Sequence, residues 1–381
     1  MAAPAAAEEE RYDSPVELDR KVDQLVALIT KSKHFIVFTG AGVSTSAGIA
    51  DFRGPTGVWT LRAQGREDKI ESVNTLQAIP TPTHMALVAL QDQNIMTHLV
   101  SQNCDGLHRR SGILPDRISE LHGNSNRETC AKGCGKEYIR DFRAVATYEK
   151  TVHDHRTGRK CDACGGNLYD TIINFGEYLP EKPLADAREH AGKADLCLVL
   201  GSSLTVPPAC TIPEITAKRR FGKGKMVICN LQSTPLDDFS KSLRIWAKAD
   251  DVMVRVMERL GVEIPKFVLR RRMVVEVKSQ DTERHTITLR GVDVDRTPVT
   301  FIKSVKMSGN RRAVTREPFE INFRRKVEPG DAIEVEVEFM GNYGEPNLTI
   351  GHVYGGETGY LLEYDPATGE WKVGKGDILS Q

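Results

Sequence analysis

The apolar run Phe35-Ile36-Val37-Phe38-Thr39 breaks directly into Gly40-Ala41-Gly42-Val43-Ser44. A short apolar strand that ends in a glycine loop restricts the fold more than any other feature of the chain. Small loop residues let the backbone approach a phosphate closely, and the helix expected to follow would offer free N–H groups to the anion. A lone pair of glycines is weak evidence, because many turns need them only for positive φ. The G-x-G-x-x-G spacing of dehydrogenases is absent. More short apolar runs follow at 97–100, 171–174, 196–200 and 226–229. Helical periodicity is expected at 83–91 and 183–191, with a first helix over 16–31 and a last one over 251–260 that Gly261 stops. Short apolar strands alternating with helices predict an α/β fold built on a Rossmann-like parallel sheet.

The pattern changes after Pro265. Phe319, Ile321 and Phe323, then Ile333, Val335, Val337 and Phe339, alternate with polar residues around a turn at 328–331. This period of two predicts a hairpin with one buried face. Residues 360–364 and 370–373 flank Asp365-Pro366-Ala367-Thr368-Gly369 as a second hairpin. The division expected is a disordered tail over 1–15, an α/β domain over 16–265 and an all-β domain over 266–381, forming a small sandwich. The two histidines of that last domain, His285 and His352, sit in strand-like surroundings and read as structural.

Four of the eight cysteines pair as Cys130-x3-Cys134 and Cys161-x2-Cys164, with Gly135 and Gly165-Gly166 directly after them. Two close pairs followed by glycines read as a tetrahedral structural zinc site, in a module inserted at about 123–170. Four thiolates close the shell, so such a zinc is not catalytic. Cys197 and Cys229 lie inside apolar runs and read as small buried hydrophobes.

The glycine loop continues into Gly48-Ile49-Ala50-Asp51-Phe52-Arg53-Gly54-Pro55. Gln102-Asn103-Cys104-Asp105-Gly106-Leu107-His108, Leu121-His122-Gly123, Gly201-Ser202-Ser203-Leu204 and Asn230-Leu231-Gln232 follow in order. Taken together, these motifs closely resemble those of the sirtuins, over about residues 34–265. The Phe52–Pro55 and Gly57-Val58-Trp59-Thr60 segments look most like the class IV branch, which includes nuclear members. Ala50 stands where the family has proline, and Cys104 where it has isoleucine.

The resemblance implies an NAD-dependent protein-lysine deacylase that releases free lysine, nicotinamide and O-acyl-ADP-ribose. In that reaction the acyl-lysine carbonyl oxygen attacks C1′ of the nicotinamide ribose, nicotinamide leaves, and a base activates the ribose hydroxyls. A base that titrates near neutrality suits histidine, and His122 matches the family's base. Asn103 matches the residue that positions ribose and water, and Asp105 and Ile49 those that hold nicotinamide. Phe52 and Arg53 match the mobile loop over the cofactor, and Asp51 and Trp59 are further expected NAD contacts. Gly40, Ala41, Gly42 and Thr45 are expected at the polyphosphate. Gln102, Gly201, Ser202, Ser203, Asn230, Leu231, Gln232 and Ala249 complete the expected NAD contacts. Phe175, Gly176 and Glu177 resemble the segment that pairs with a substrate peptide by main-chain hydrogen bonds. NAD is thus the expected cosubstrate and zinc the expected structural metal. Mono-ADP-ribosyl transfer to protein is the nearest alternative, and a catalytically silent chromatin scaffold a further one.

Lys+Arg and Asp+Glu balance at 52 each, so global charge argues for neither nucleic acid nor membrane. No apolar run is long enough to span a bilayer, and the amino-terminal residues lack the pattern of a secretory signal. An intracellular protein is expected, nuclear by the class IV resemblance and otherwise cytoplasmic. Its expected partners are acylated protein lysines, histones among them. Basic runs at Lys218-Arg219-Arg220, Arg270-Arg271-Arg272 and Arg324-Arg325-Lys326 are candidates for chromatin or nucleic-acid contact.

Overall fold

Phe35–Thr39 is a strand with all five residues buried. It lies at the middle of a six-stranded sheet in the order 243–245, 225–229, 196–200, 35–39, 96–101, 118–120. Every pairing in that sheet is parallel. These strands are buried on both faces, which explains why they read as continuous apolar runs rather than alternating ones. The computed structural model describes residues 9–130, 133–146, 151, 153–219, 223–239, 243–376 and 378. Residues 1–8 of the expected tail and Arg220 of one basic run lie outside them.

Helix α1 (Pro15–Lys31) starts where Ser14 accepts a hydrogen bond from the Glu17 amide and Pro15 occupies the first turn. It buries Leu18, Val22, Leu25 and Ile29, one face at helical spacing. Each such side chain stabilises the fold by about 1.5–3 kcal/mol. Residues 11–13, within the expected tail, are held: Arg11 N donates to Leu231 O, and Asp13 pairs with Lys21. The other helices are α2 (Val58–Ala63), α3 (Pro82–Asp92), α4 (Leu107–Ser111), α5 (Glu181–Lys193), α6 (Ile212–Ala217) and α7 (Ala249–Leu260). Gly261 ends α7 in a left-handed conformation at φ 67. The α-helix expected straight after the glycine loop is not there. Two single-turn 3-10 segments, Ala41–Val43 and Thr45–Ala47, take its place. The run at 171–174 is not a strand either. The strand lies just before it, at Asn167–Asp170, paired antiparallel with Arg127–Cys130.

The chain folds as two compact units, one of residues 1–124 and 172–267, the other of 125–171 and 268–381. The second unit contains the four-cysteine segment together with the carboxy-terminal strands. Val299–Thr300 adds in parallel to Glu137–Arg140 at the edge of the cysteine segment's sheet. The Arg140 guanidinium binds Glu128 and Thr300, and Arg271 binds Asp141 and Glu345, all of them buried.

The rest of this unit is a sandwich, with a five-stranded sheet facing a three-stranded one over a shared core. Met273, Val275 and Ile287 enter that core from one sheet, and Val305, Val335 and Val337 from the other. The first expected hairpin does not form. Phe319–Arg324 pairs with Arg284–Val292, whereas Ala332–Phe339 pairs with 302–307 and 348–353 in the opposite sheet. Alternation identifies a buried face, but both sheets present the same face to one core, so it cannot name the partner strand. The second hairpin forms as expected, with Tyr364 opposite Trp371.

Candidate functional site

A parallel sheet brings the ends of all its strands to one edge. Gly40 follows the strand at 35–39, Gln102-Asn103 that at 96–101 and His122 that at 118–120. Gly201-Ser202 follows 196–200 and Asn230 follows 225–229. Motifs far apart in sequence thus meet at the carboxyl edge of five adjacent strands. From 35–39 the chain first winds through 96–101 to 118–120, then returns to the other side through 196–200 to 225–229. The order reverses between 35–39 and 196–200, the crevice where open α/β sheets bind ligands.

Glycine is required at this reversal. Gly42 N donates to Gly201 O at 2.9 Å, and a Cβ on Gly42 would lie 2.7 Å from the Gly201 Cα. A Cβ on Gly40 would lie 2.7 Å from Gly201 O. Gly201 itself has φ +59. The two loops pack backbone to backbone, with no room for side chains between them.

Behind the loops runs a buried polar chain. Ser44 Oγ donates to Asp105 Oδ2 at 2.7 Å and accepts from Asn103 Nδ2 at 3.3 Å. The other Asp105 oxygen accepts the Leu107 amide at 2.9 Å. Thr39 Oγ1 donates to Ser101 Oγ and lies 2.9 Å from His108 Nε2, while Ser101 Oγ accepts the Asn103 amide. The His108 ring lies against that of His84, and burial holds both pKa values down at about 3. Both rings are therefore neutral at neutral pH. His84 caps α3 through Thr81, whose hydroxyl donates to Val43 O. Ser44, Thr39, Ser101 and His84 were not singled out from the sequence. Only Ser44 carried a signal, as the last residue of the glycine motif.

His122 is partly buried, with Nδ1 3.0 Å from the Gln102 carbonyl oxygen. A carbonyl only accepts, so Nδ1 carries the proton and Nε2 of the neutral ring keeps its lone pair. Burial lowers the His122 pKa, and the Gln102 carbonyl opposes that shift in part. The Gln102 side chain accepts from Ser202 Oγ at 2.7 Å, joining this strand end to the Gly201 loop. Asn230 Nδ2 donates to Gln232 O, and Gln232 Nε2 donates to Arg53 O. Ser203 Oγ lies 3.0 Å from Thr205 Oγ1.

The 51–59 segment forms its own loop. Asp51 Oδ1 accepts the Gly54 amide, and burial raises the Asp51 pKa. Arg53 stacks 4.5 Å from the Trp59 ring centre. Phe52 and Phe175 also meet Trp59, at 4.9 and 5.4 Å between ring centres. Phe175 is 71% exposed, and the Ile173 amide just before it donates to His122 O. Ile49 is partly buried and Thr45 exposed. Ala249 lies in the apolar core at the first turn of α7.

In the second unit the Sγ atoms of Cys130, Cys134, Cys161 and Cys164 all lie within 4.8 Å of one another. Neighbouring sulfurs are 3.4–3.6 Å apart. That is far beyond the ~2.05 Å of a disulfide and suits a tetrahedron of ~2.3 Å zinc–sulfur bonds. The Tyr138 hydroxyl lies 3.3 Å from Cys161 Sγ and is the main cause that brings its thiol down to about 6. The donor set fits a structural zinc ion.

The basic runs are mostly engaged by their own chain. Arg271 is buried, Arg270 pairs with Glu363, and Arg272 donates to Ile378 O. Arg219 donates to the carbonyls of Lys193 and Ala194, and Arg325 to Ala332 O. Arg271 reads as basic surface in the sequence because the strand's alternation passes through an arginine run, and its acidic partners are remote in the chain.

A parallel sheet with a glycine-lined crevice at its switch point and a polar histidine-bearing wall defines a nucleotide-binding α/β protein. Residues 40–208 match the Sir2 family. The chain is 43% identical over 306 residues to the NAD-dependent protein deacetylase SRT1 of Arabidopsis thaliana, covering 78% of this chain and 63% of that one. With NAD-dependent protein deacetylase sirtuin-7 of Bos taurus it shares 45% over 265 residues, 68% of this chain and 65% of the other. With NAD-dependent protein deacetylase Sirt6 of Drosophila melanogaster it shares 39% over 264 residues, 68% and 81% of the two chains. A solved Sir2 variant with a deacetylated p53 peptide and 3′-O-acetyl ADP-ribose matches at a TM-score of 0.50 and 32% identity, over 64% of this chain and 99% of that one. The chain belongs to the Sir2 family. It spans less than two-thirds of the length of SRT1 and sirtuin-7.

Proposed function

We propose that the protein is an NAD-dependent protein-lysine deacylase. The observation that carries this reading is the meeting of five motif-bearing loops at one sheet edge, with the lone pair of His122 Nε2 left available by the Gln102 carbonyl. In this reading NAD lies in the switch-point crevice. Its pyrophosphate faces the Gly40–Gly42 backbone and Thr45, and its adenosine ribose faces Asn230–Gln232 and Ser203. Nicotinamide faces Asp105 and Ile49, and Phe52, Arg53 and Trp59 cover it. The Asp105–Ser44–Asn103 hydrogen bonds hold these polar groups in place before a ligand arrives, which lowers the cost of ordering them during reaction. His122 Nε2 takes the proton of a ribose hydroxyl. Asn103 orients that ribose, and the Phe175–Glu177 backbone pairs with the acylated peptide.

The similarity to deacetylases by name supports the same reaction class. A nuclear location, with acylated lysines of histones or other chromatin proteins as substrates, belongs to the same proposal. The test is incubation of the zinc-loaded protein with NAD and acetylated or long-acyl peptides, read by mass spectrometry. Free lysine peptide with O-acyl-ADP-ribose is expected. ADP-ribosylated protein without O-acyl-ADP-ribose would instead make the chain a mono-ADP-ribosyltransferase, and no NAD consumption would make it a scaffold.

A further inference from the structure

Arg244 is a single arginine at the edge of the parallel sheet, and no motif marks it. Its side chain is only 12% exposed. Nη1 donates to the carbonyls of Ile228, Asn230 and Ile245 at 3.2, 2.8 and 2.7 Å. Nη2 donates to Gln232 O at 2.6 Å, and Nε to Asp237 Oδ1 at 2.9 Å. The guanidinium lies 3.5 Å from the Trp246 ring centre, and Arg11 approaches the same ring at 5.1 Å. One planar cation thus gathers carbonyls from the end of the neighbouring strand, from the Asn230–Gln232 turn and from the next residue of its own strand.

The consequence follows from peptide planarity. Each peptide plane points its C=O and the next N–H in opposite directions. With the Asn230 and Gln232 carbonyls drawn onto Arg244, the Leu231 and Ser233 amides face away from it. Among the described residues, neither amide has a recorded acceptor. Arg11 N donates to the remaining carbonyl of the turn, that of Leu231, at 2.8 Å. The turn is therefore fixed from its inner side and presents two N–H donors on the other, while the Asn230 side chain closes back onto the Gln232 carbonyl through Nδ2.

We propose that Arg244 is a positioning residue for NAD, holding the Asn230–Gln232 turn so that its free amides and Asn230 meet the adenosine ribose. The inference rests on the proposed NAD site. A lysine keeps the charge but offers a point donor that cannot span four carbonyls. A glutamine removes the charge and most of the donors.

The test uses the full chain and its R244K and R244Q variants. ADP-ribose binding is measured by calorimetry, and kcat and both KM values are measured with NAD and an acetylated peptide, beside thermal melting. R244Q is expected to raise the ADP-ribose Kd and the NAD KM about tenfold or more, the effect of losing hydrogen bonds to a charged group. The peptide KM stays unchanged, and R244K falls between R244Q and the wild type. If R244Q does not fold, R244K carries the same readout. Folded variants with wild-type Kd and NAD KM overturn the role of Arg244. So does an equal rise in both KM values with a lowered melting temperature, which marks general loosening. A wild type that neither binds ADP-ribose nor consumes NAD overturns the proposed function, and this inference with it.

Discussion

The His122 ring is held through Nδ1 by the Gln102 carbonyl. The Gln102 carbonyl fixes the proton on Nδ1, and burial keeps the ring neutral to lower pH than a free histidine. A general base works in its deprotonated form, so the acid limb of kcat/KM follows its protonation. Because burial lowers the pKa, the limb is expected below the ordinary value of 6.5. A pH–rate profile with its acid midpoint clearly above 6.5 would argue against His122 as the base. His122→Ala is expected to reduce deacylation about a hundredfold or more with an unchanged melting curve. Gly42 gives a second test at this scale. Its added Cβ would meet the Gly201 Cα at 2.7 Å, so Gly42→Ala must push the two loops apart. Overpacking of that kind costs about 1–3 kcal/mol, and here it also moves the proposed phosphate wall. A raised NAD KM with a lowered melting temperature is expected, and wild-type values for both would show that the loops can separate freely. The residues of the sequence motifs were legible because each stands in a fixed string beside a strand end. Arg244, Ser101 and His84 were not, because their partners come from other strands and loops, and nothing local announces a buried arginine or histidine.

Among the elements, those that bury one helical face or two strand faces were the most legible. α1, α3, α5, α7 and the parallel strands carry their burial in their own periodicity. Elements chosen by a distant partner were not legible. The glycine loop runs into 3-10 turns because its backbone is bonded to Gly201 rather than continuing as a helix. Phe319–Arg324 and Ala332–Phe339 look like a hairpin and belong to opposite sheets. The cysteine pairs lie between these cases, since spacing names the ligands but the fold brings them within 4.8 Å. Metal analysis is expected to find about one zinc per chain. Cys161→Ala is expected to lower the melting temperature strongly, since ligand loss is coupled to folding. Tyr138→Phe removes only the hydroxyl against Cys161 and should speed zinc loss to a chelator about tenfold or more. Full thermal stability of the Cys161 variant, or chelator-resistant zinc in both variants, would show that the quartet does not hold a structural metal.

At the scale of the whole chain, the sequence divides at Pro265 and a compact unit ends close by at Phe267, but residues 125–171 group with 268–381. The motif residues expected to hold NAD lie in the unit of 1–124 and 172–267, while the cysteine segment shares a unit with 268–381. The strand Val299–Thr300, Thr300 Oγ1, Arg271 and the Asn342 amide are partners of residues 139–141. Removing residues 268–381 would strip Asp141 of its buried cation and Arg140 of the Thr300 hydroxyl. Breaking a buried pair from one side costs about 3–5 kcal/mol, and the exposed edge of Glu137–Arg140 loses its neighbouring strand as well. A protein ending at Phe267 is therefore expected to keep a protected parallel sheet and to lose protection in 125–171. Hydrogen exchange of the truncated and full chains reads this directly, with faster exchange expected across 125–171 and faster zinc loss to a chelator. Turnover of a short acetylated peptide, measured on the same sample, separates loosening of the cysteine segment from loss of the NAD site. Equal protection in 125–171 and equal zinc retention in the two proteins would mean that the segment stands without the carboxy-terminal strands. The shared sheet and the Arg271–Asp141 pair would then be incidental to its stability.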